Sequence, residues 1–164
     1  MEPPQKIIKI TYNNGVYVGQ FIEVDGVPQE HGFGLFTWEN GDVYEGDYKN
    51  GQRWGKGRMV WFDGKQYDGD FVDDVREGHG KMKWPDGTVY EGDFVDGKMH
   101  GKGKMLWPIG EYYVGNFADD KMHGYGIHYS RDGDIIYEGE WIQSCPINKD
   151  YSERTDFRGN RKKA

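Results

Sequence analysis

Carboxylates stand two residues apart at Glu45/Asp47, Glu91/Asp93 and Glu138/Glu140. Such pairs serve general acid–base catalysis when their environments differ. His31, His100 and His123 also recur, and imidazole is the commonest metal ligand. Gly-Lys-Gly at Gly55 and Gly101 and Gly-His-Gly at Gly78 have the look of phosphate-binding loops. Spacing argues against all three chemistries. The acids alternate along segments that neighbour Lys56/Arg58, Lys81/Lys83 and Lys102/Lys104, the pattern of a solvated face with opposite charges across it. Zinc needs donors about 2 Å away, whereas equivalent histidines one repeat apart would stand about 10 Å apart on a sheet. Trp54 and Glu77 fill the same place elsewhere, so a structural role at the strand entry is expected. No helix follows the glycine pairs and no G-x-x-x-x-G-K-[ST] occurs. With the single cysteine Cys145, neither a disulfide framework nor a Cys-based zinc site is expected. The expectation is therefore no catalytic residue, no metal and no cofactor.

The elements that hold these residues follow from composition and period. There are 26 glycines and 26 aromatics, but only two leucines, Leu35 and Leu106, and two alanines, Ala118 and Ala164. A helical bundle is excluded on those counts, because Ala and Leu lead the helix formers. No apolar run approaches the roughly 18 residues of a membrane span, and MEPPQKIIKI lacks the long apolar stretch of a signal peptide. A soluble intracellular protein is expected. The net charge is −7. Residues 148–164 hold Lys149, Arg154, Arg158, Arg161, Lys162 and Lys163 against Asp150, Glu153 and Asp156, a basic tail of +3 on a body of −10. That body repels nucleic acid and anionic lipid.

The pattern Tyr-x-Gly-x-aromatic begins at Tyr17, Tyr44, Tyr67, Tyr90, Tyr113 and Tyr137, at intervals of 27, 23, 23, 23 and 24 residues. Ten residues after Tyr44, Tyr67 and Tyr90 come WGKGRMVW from Trp54, EGHGKMKW from Glu77 and HGKGKMLW from His100, and fourteen after Tyr17 comes HGFGLFTW from His31. Asn-Gly or Asp-Gly turns then follow, as ENG at Glu39, FDG at Phe62 and PDG at Pro85. A second turn reads KNG, VDD, VDG or ADD from Lys49, Val72, Val95 and Ala118. Connections this short make successive strands antiparallel neighbours, a twisted meander advancing about 10 Å per unit. Alternation puts Tyr90, Gly92 and Phe94 on one face and Glu91 and Asp93 on the other. The partner strand shows Gly101, Gly103, Met105 and Trp107 against Lys102 and Lys104. Strand glycines leave gaps across which a neighbouring ring can lie flat.

The unit YEGDFVDGKMHGKGKMLWPIGEY strongly resembles the MORN repeat: YEG-(D/E)-(F/W), then HG-x-G, then an aromatic-x-(D/N)-G turn. The resemblance covers residues 7–141, about five repeats plus a partial one, between an extension at 1–6 and a basic tail at 142–164. The first unit departs by four inserted residues in EVDGVPQEHG, the turn at Ile109 lacks its Asp, and Ser130 stands where Trp is expected. The resemblance implies an all-β, elongated, single-layer antiparallel β-meander of tandem hairpins with a short irregular tail. It implies a non-enzymatic scaffold that holds protein partners at cytoskeletal, axonemal or membrane-apposed structures, with a cytoplasmic and possible cilium-associated setting.

A single-layer sheet has no second layer, so some rings should be core and others should line a groove. The expected core is Tyr44, Tyr67, Tyr90 and Tyr113 with Trp38, Trp61, Trp84 and Trp107. The expected groove exposes Tyr48, Phe71, Phe94 and Phe117 with the ladder Met59, Met82 and Met105, an adaptable surface for an amphipathic helix or extended segment of a partner. On that reading Phe71→Asp with Phe94→Asp spares the fold and abolishes partner capture. The alternative is a membrane-surface adaptor using the basic tail around Arg158 to Lys163, a weak attraction at most. Open sheet ends invite homodimers unless blunted, as Pro3, Pro4 and Pro146 would do.

Overall fold

The computed structural model describes residues 6–147, 154–155 and 161–162. No helix occurs among them; the chain runs as thirteen strands in strict sequence order, a meander without crossover. The chain divides into two units, Met1–Pro85 and Asp86–Ala164. The first holds β1 (Ile7–Tyr12), β2 (Gly15–Val24), β3 (Val27–Trp38), β4 (Val43–Lys49), β5 (Gln52–Val60), β6 (Gln66–Val72) and β7 (Val75–Lys83). The second holds β8 (Val89–Val95), β9 (Lys98–Leu106), β10 (Tyr112–Ala118), β11 (Lys121–Tyr129), β12 (Ile135–Ile142) and β13 (Cys145–Pro146). The basic tail contributes one further antiparallel pair, β14 (Arg154–Thr155) with β15 (Arg161–Lys162). Pro3, Pro4, Lys149, Arg158 and Lys163 lie outside the described residues.

Within a repeat the packing unit is one tyrosine on two glycines. In the first unit Tyr44 is fully buried, and its ring lies along the floor made by Gly46 and its cross-strand partner Gly57. A Cβ on Gly46 would stand 2.6 Å from the Tyr44 hydroxyl, and one on Gly57 would stand 2.5 Å from Tyr44 Cε2. Tyr67 sits on Gly69 and Gly80 in the same way. In the second unit Tyr90 covers Gly92 and Gly103, and Tyr113 covers Gly115 and Gly126. The missing side chains are thus filled by rings, which is why a glycine-rich strand here costs no void.

Each hydroxyl reaches the same backbone group. Tyr44 donates to the Asp47 carbonyl at 2.9 Å, Tyr67 to Asp70 at 2.9 Å, Tyr90 to Asp93 at 2.9 Å and Tyr113 to Asn116 at 3.0 Å. Those carbonyls lie at a bulge. Between the pairs Gly46–Gly57 and Tyr48–Arg53, the lone Asp47 of β4 faces Trp54, Gly55 and Lys56 of β5. Gly55 takes the extra turn of the chain at φ +66°, a conformation other residues resist. The Asp47 carboxylate accepts the Lys56 N–H at 3.3 Å, and the Asp70 carboxylate accepts His79 N–H at 3.1 Å. The acid of the YEGD motif therefore serves the backbone as well as the charged face. The recurrent His, Trp or Glu before the bulge glycine sits in the irregular stretch, which explains why the position tolerates all three. His31 Nδ1 accepts the Asn50 N–H at 3.4 Å, whereas His100 and His123 are exposed.

The inserted residues of the first repeat extend the hairpin instead of looping out: β2 and β3 stay in register to Val24–Val27 across the Asp25–Gly26 turn. The turns at Ile109 and Ser130 keep the geometry of their counterparts. Trp107 N–H reaches the Glu111 carbonyl at 2.9 Å and Ser130 N–H the Asp134 carbonyl at 2.8 Å, as Trp61 N–H reaches Lys65 at 2.9 Å.

Two outcomes follow. Gly57→Ala should destabilise by about 2 kcal/mol or more, since ring and methyl cannot share the site, and Tyr67→Phe by about 1–3 kcal/mol, since it leaves the Asp70 carbonyl without its donor; urea midpoints measure both. Burial pushes the phenols of Tyr17 and Tyr113 up to about 12, and those of Tyr44, Tyr67 and Tyr90 up as well. The folded state then holds protons that the unfolded chain releases from pH 10. Stability is full below that point and falls as pH rises towards 12. In an alkaline titration phenolate absorbance should grow in step with loss of the β signal, not ahead of it.

Candidate protein-binding surface

The aromatic side of the sheet is a herringbone. In the first unit Tyr17 meets Tyr48 edge-on at 5.2 Å between ring centres, Tyr48 meets Tyr44 at 5.2 Å, and Phe71 lies at 5.2 Å from both Tyr44 and Tyr67. In the second unit Phe94 and Phe117 flank Tyr90 at 5.3 and 4.9 Å, and Tyr113 stands between Phe117 and Trp141 at 5.3 and 5.1 Å. Edge-to-face contact at this spacing is the favoured ring geometry. Phe71 and Phe117 thus each close the gap between their own tyrosine and that of the preceding repeat.

This tiling corrects the expected division into core and groove. Tyr48, Phe71, Phe94 and Phe117 are buried, and so are Met59 and Met82. Met105 is half-buried, between Tyr90 and Tyr113 in register. None of these forms an open surface, because the rings bury one another and no second layer is needed. Tyr44, Tyr67, Tyr90 and Tyr113 are core as expected. Trp38, Trp61, Trp84 and Trp107 are only half-buried. The reason is their place at the start of the hairpin turn: Trp38 and Trp61 each accept the N–H of the turn glycine, Gly41 and Gly64, at 3.0 and 2.9 Å. Pleat and turn leave part of each indole in solvent.

One further position shapes this side and has no counterpart in the sequence pattern. Opposite the half-buried Phe21 and the buried Tyr48, Phe71, Phe94 and Phe117 stand Glu30, Arg53, Arg76, Met99 and Met122. Stacking the repeats on the bulge glycine would have exposed it, since each lies two residues before that glycine. Arg53 lies over the rings of Trp38, Tyr44 and Phe71 at 5.9, 5.7 and 5.4 Å, and its Nε bonds Asp74 Oδ1 at 2.8 Å. Arg76 lies over Trp61 and Tyr67 at 5.8 and 5.7 Å. A groove of about 360 Å³ opens in the first unit between Tyr12, Glu30, Phe36, Trp38, Arg53 and Asp74.

The opposite side carries the paired charges. Lys56 meets Asp70 at 2.6 Å and Arg58 meets Asp68 at 3.7 Å, while Glu45 faces Arg58 and Glu91 faces Lys104 in register. Among the described residues no group of three His, Cys, Asp or Glu side chains converges on a point. Glu138 accepts the Tyr125 hydroxyl at 2.6 Å. Val18, Phe33 and Leu35 interrupt the charge on this side in the first repeat and are exposed.

Tandem strand pairs of 23 residues, each locked by one tyrosine on two glycines, define an array of hairpin repeats. The MORN repeat model matches residues 29–43, 44–66, 67–89, 90–112 and 113–135, and the chain belongs to the MORN-repeat family. Among solved structures, the TCP10c domain of Drosophila melanogaster Sas-4 is 14% identical over 96% of this chain and 96% of that one, with a TM-score of 0.41. The Sas-4 TCP domain in complex with a proline-rich motif of Ana2 is 13% identical over 95% and 87%, with a TM-score of 0.40. A point mutant of the TCP10 domain of Danio rerio CPAP is 13% identical over 86% and 98%, with a TM-score of 0.21. No curated protein gives a significant match.

With Phe71 and Phe94 each 2% exposed, Phe71→Asp and Phe94→Asp should unfold the protein instead of sparing it, because each places a charge inside the herringbone. Phe71→Ala should cost about 3 to 5 kcal/mol and Trp61→Ala roughly half as much. Chemical denaturation with far-ultraviolet circular dichroism separates the two classes.

Proposed function

We propose that this chain is a non-enzymatic protein–protein interaction scaffold that takes up a helix or extended segment of a protein partner along its tryptophan-lined side. The observation that carries this reading is the half-buried indole that opens the turn of each of four repeats, above a fully tiled layer of Tyr and Phe. Tryptophan, tyrosine and arginine are the residues most enriched among binding hot spots, and here Trp38 and Trp61 stand beside Arg53 and Arg76. The underlying layer is rigid, so the exposed indole faces are pre-organised and little side-chain entropy is lost on binding. The binding contact passes from Phe71 and the methionine ladder, which are spent on the fold, to the tryptophans and the arginines between them. A cytoskeletal or axonemal setting is what the MORN repeat suggests for such a scaffold.

Photo-crosslinking tests the face. A photoreactive residue at Trp38 or Trp61 should trap a discrete protein species in native extract, and one at Arg58 or Lys81 on the opposite side should not. Equal trapping from both sides, or robust flotation of the intact protein with anionic vesicles in place of any protein adduct, would overturn the reading.

A further inference from the structure

The slot that holds arginine or methionine in four repeats holds a carboxylate in the first. Glu30 is 9% exposed, one of only two buried polar or charged residues among the described ones. Its carboxylate accepts the Tyr12 hydroxyl. No ion pair neutralises it among the described residues. The groove's own cation is engaged elsewhere: Arg53 Nε bonds Asp74 Oδ1 at 2.8 Å and its second terminal nitrogen bonds the Asp74 carbonyl at 2.9 Å. Around Glu30 the walls are aromatic. Tyr12 stacks on Phe36 at 5.8 Å, and Phe36 meets Trp38 at 4.4 Å. Tyr48 completes the lining.

A carboxylate withdrawn from water without a counter-ion is costly, and among the described residues no ion pair offsets that cost for Glu30. Rings present a negative face that attracts a cation within about 6 Å of the ring centre. The groove, about 360 Å³ and open to solvent, lies at the small end of ligand sites, which run to roughly 300–1,000 Å³; it admits one long side chain, not a whole helix. Burial, the Glu30 hydrogen bond and the Glu30 charge together push the Tyr12 phenol up.

We infer that the first repeat is a receptor for a single basic side chain: a lysine or arginine of the protein partner enters between Tyr12, Phe36 and Trp38 and pairs with Glu30. The inference rests on the scaffold reading and gives the partner a chemistry: a segment with a basic anchor at one end of its contact, and apolar residues where it passes the other indoles. Charge complementarity selects this occupant over an acidic or wholly apolar one, which would leave Glu30 buried and unpaired.

The test uses the intact protein with N-acetyl-arginine amide and N-acetyl-lysine amide as probes, and N-acetyl-norleucine amide as the uncharged control. In a nuclear magnetic resonance titration the basic probes should give saturable shifts centred on the Trp38 indole N–H, and the control should not. Glu30→Gln keeps an acceptor for Tyr12 and should weaken the basic probes about tenfold or more, while Glu45→Gln on the other side leaves them unchanged. Shifts spread over the acidic surface and indifferent to Glu30→Gln overturn the inference, as does equal binding of the norleucine probe. Carbodiimide coupling of Glu30 to a lysine of this chain's own tail in the free protein would overturn it too, by naming a different occupant. If photo-crosslinks from Trp61 persist undiminished in the Glu30→Gln protein, the scaffold reading stands and the basic anchor falls. If crosslinks from Trp61 are absent altogether, the scaffold reading itself has failed.

Discussion

The fold depends on a single contact repeated once per hairpin: a tyrosine ring laid over two cross-strand glycines, its hydroxyl donated to the carbonyl left over at the bulge. An unpaired carbonyl in a buried position costs about 1–3 kcal/mol if nothing meets it, and the bulge creates one in every repeat. The phenol is the side chain that fills the glycine gap with apolar surface and ends in a donor at the right distance. Tyr44, Tyr67, Tyr90 and Tyr113 meet both demands with hydroxyl distances of 2.9 to 3.0 Å. Phenylalanine would fill the gap and leave the carbonyl bare.

From that contact the rest follows in order. The bulge needs a glycine at positive φ, which fixes Gly55 and its counterparts, and it needs a carboxylate or amide to cover the freed N–H, which fixes Asp47 and Asp70. The ring needs a lid, which Phe71 of the next repeat supplies to Tyr44 and Phe117 to Tyr90. A sheet without a second layer can then bury its aromatic residues by tiling them sideways, so stability is shared between neighbours as in other repeat arrays.

This sideways burial is where the sequence became illegible. The strands, their order and the glycine floor could be read from period and alternation, because those depend on spacing alone. Which rings are core could not, because alternation assigns Tyr67, Phe71 and Met82 to one face but says nothing of how rings on that face lean on each other. The partner of Phe71, Tyr44, is 27 residues away, and edge-on contact leaves no periodic signal in the sequence. Trp61 looked buried because large apolar residues usually are; its position as the first residue of a turn was in the sequence, but the consequence for exposure depends on turn geometry. Alternation assigns the acid of YEGD to the charged surface, and only the bulge register brings it to the backbone N–H groups of Lys56 and His79.

The position opposite the buried Phe shows why such an array suits recognition. Its carbonyl is held by the turn of the following repeat: Gly51 N–H reaches Glu30 at 2.9 Å, Asp74 reaches Arg53 at 3.1 Å, Asp120 reaches Met99 at 3.0 Å and Ser144 reaches Met122 at 2.8 Å. That strap uses backbone on the receiving side, so the fold sets where the side chain stands without setting what it is. Glutamate, arginine and methionine all occupy it in one protein. Where the constant part of a repeat is satisfied by tyrosine, glycine and backbone, the chemistry at the remaining position is free to vary. Arg53 and Arg76 lay cations across the rings and Glu30 sets a buried anion among them, so the tryptophan side differs in charge from repeat to repeat while its geometry stays the same. A surface with a fixed frame and a variable charge at each step can discriminate between partner segments by the order of their side chains, which a uniform aromatic stripe could not do.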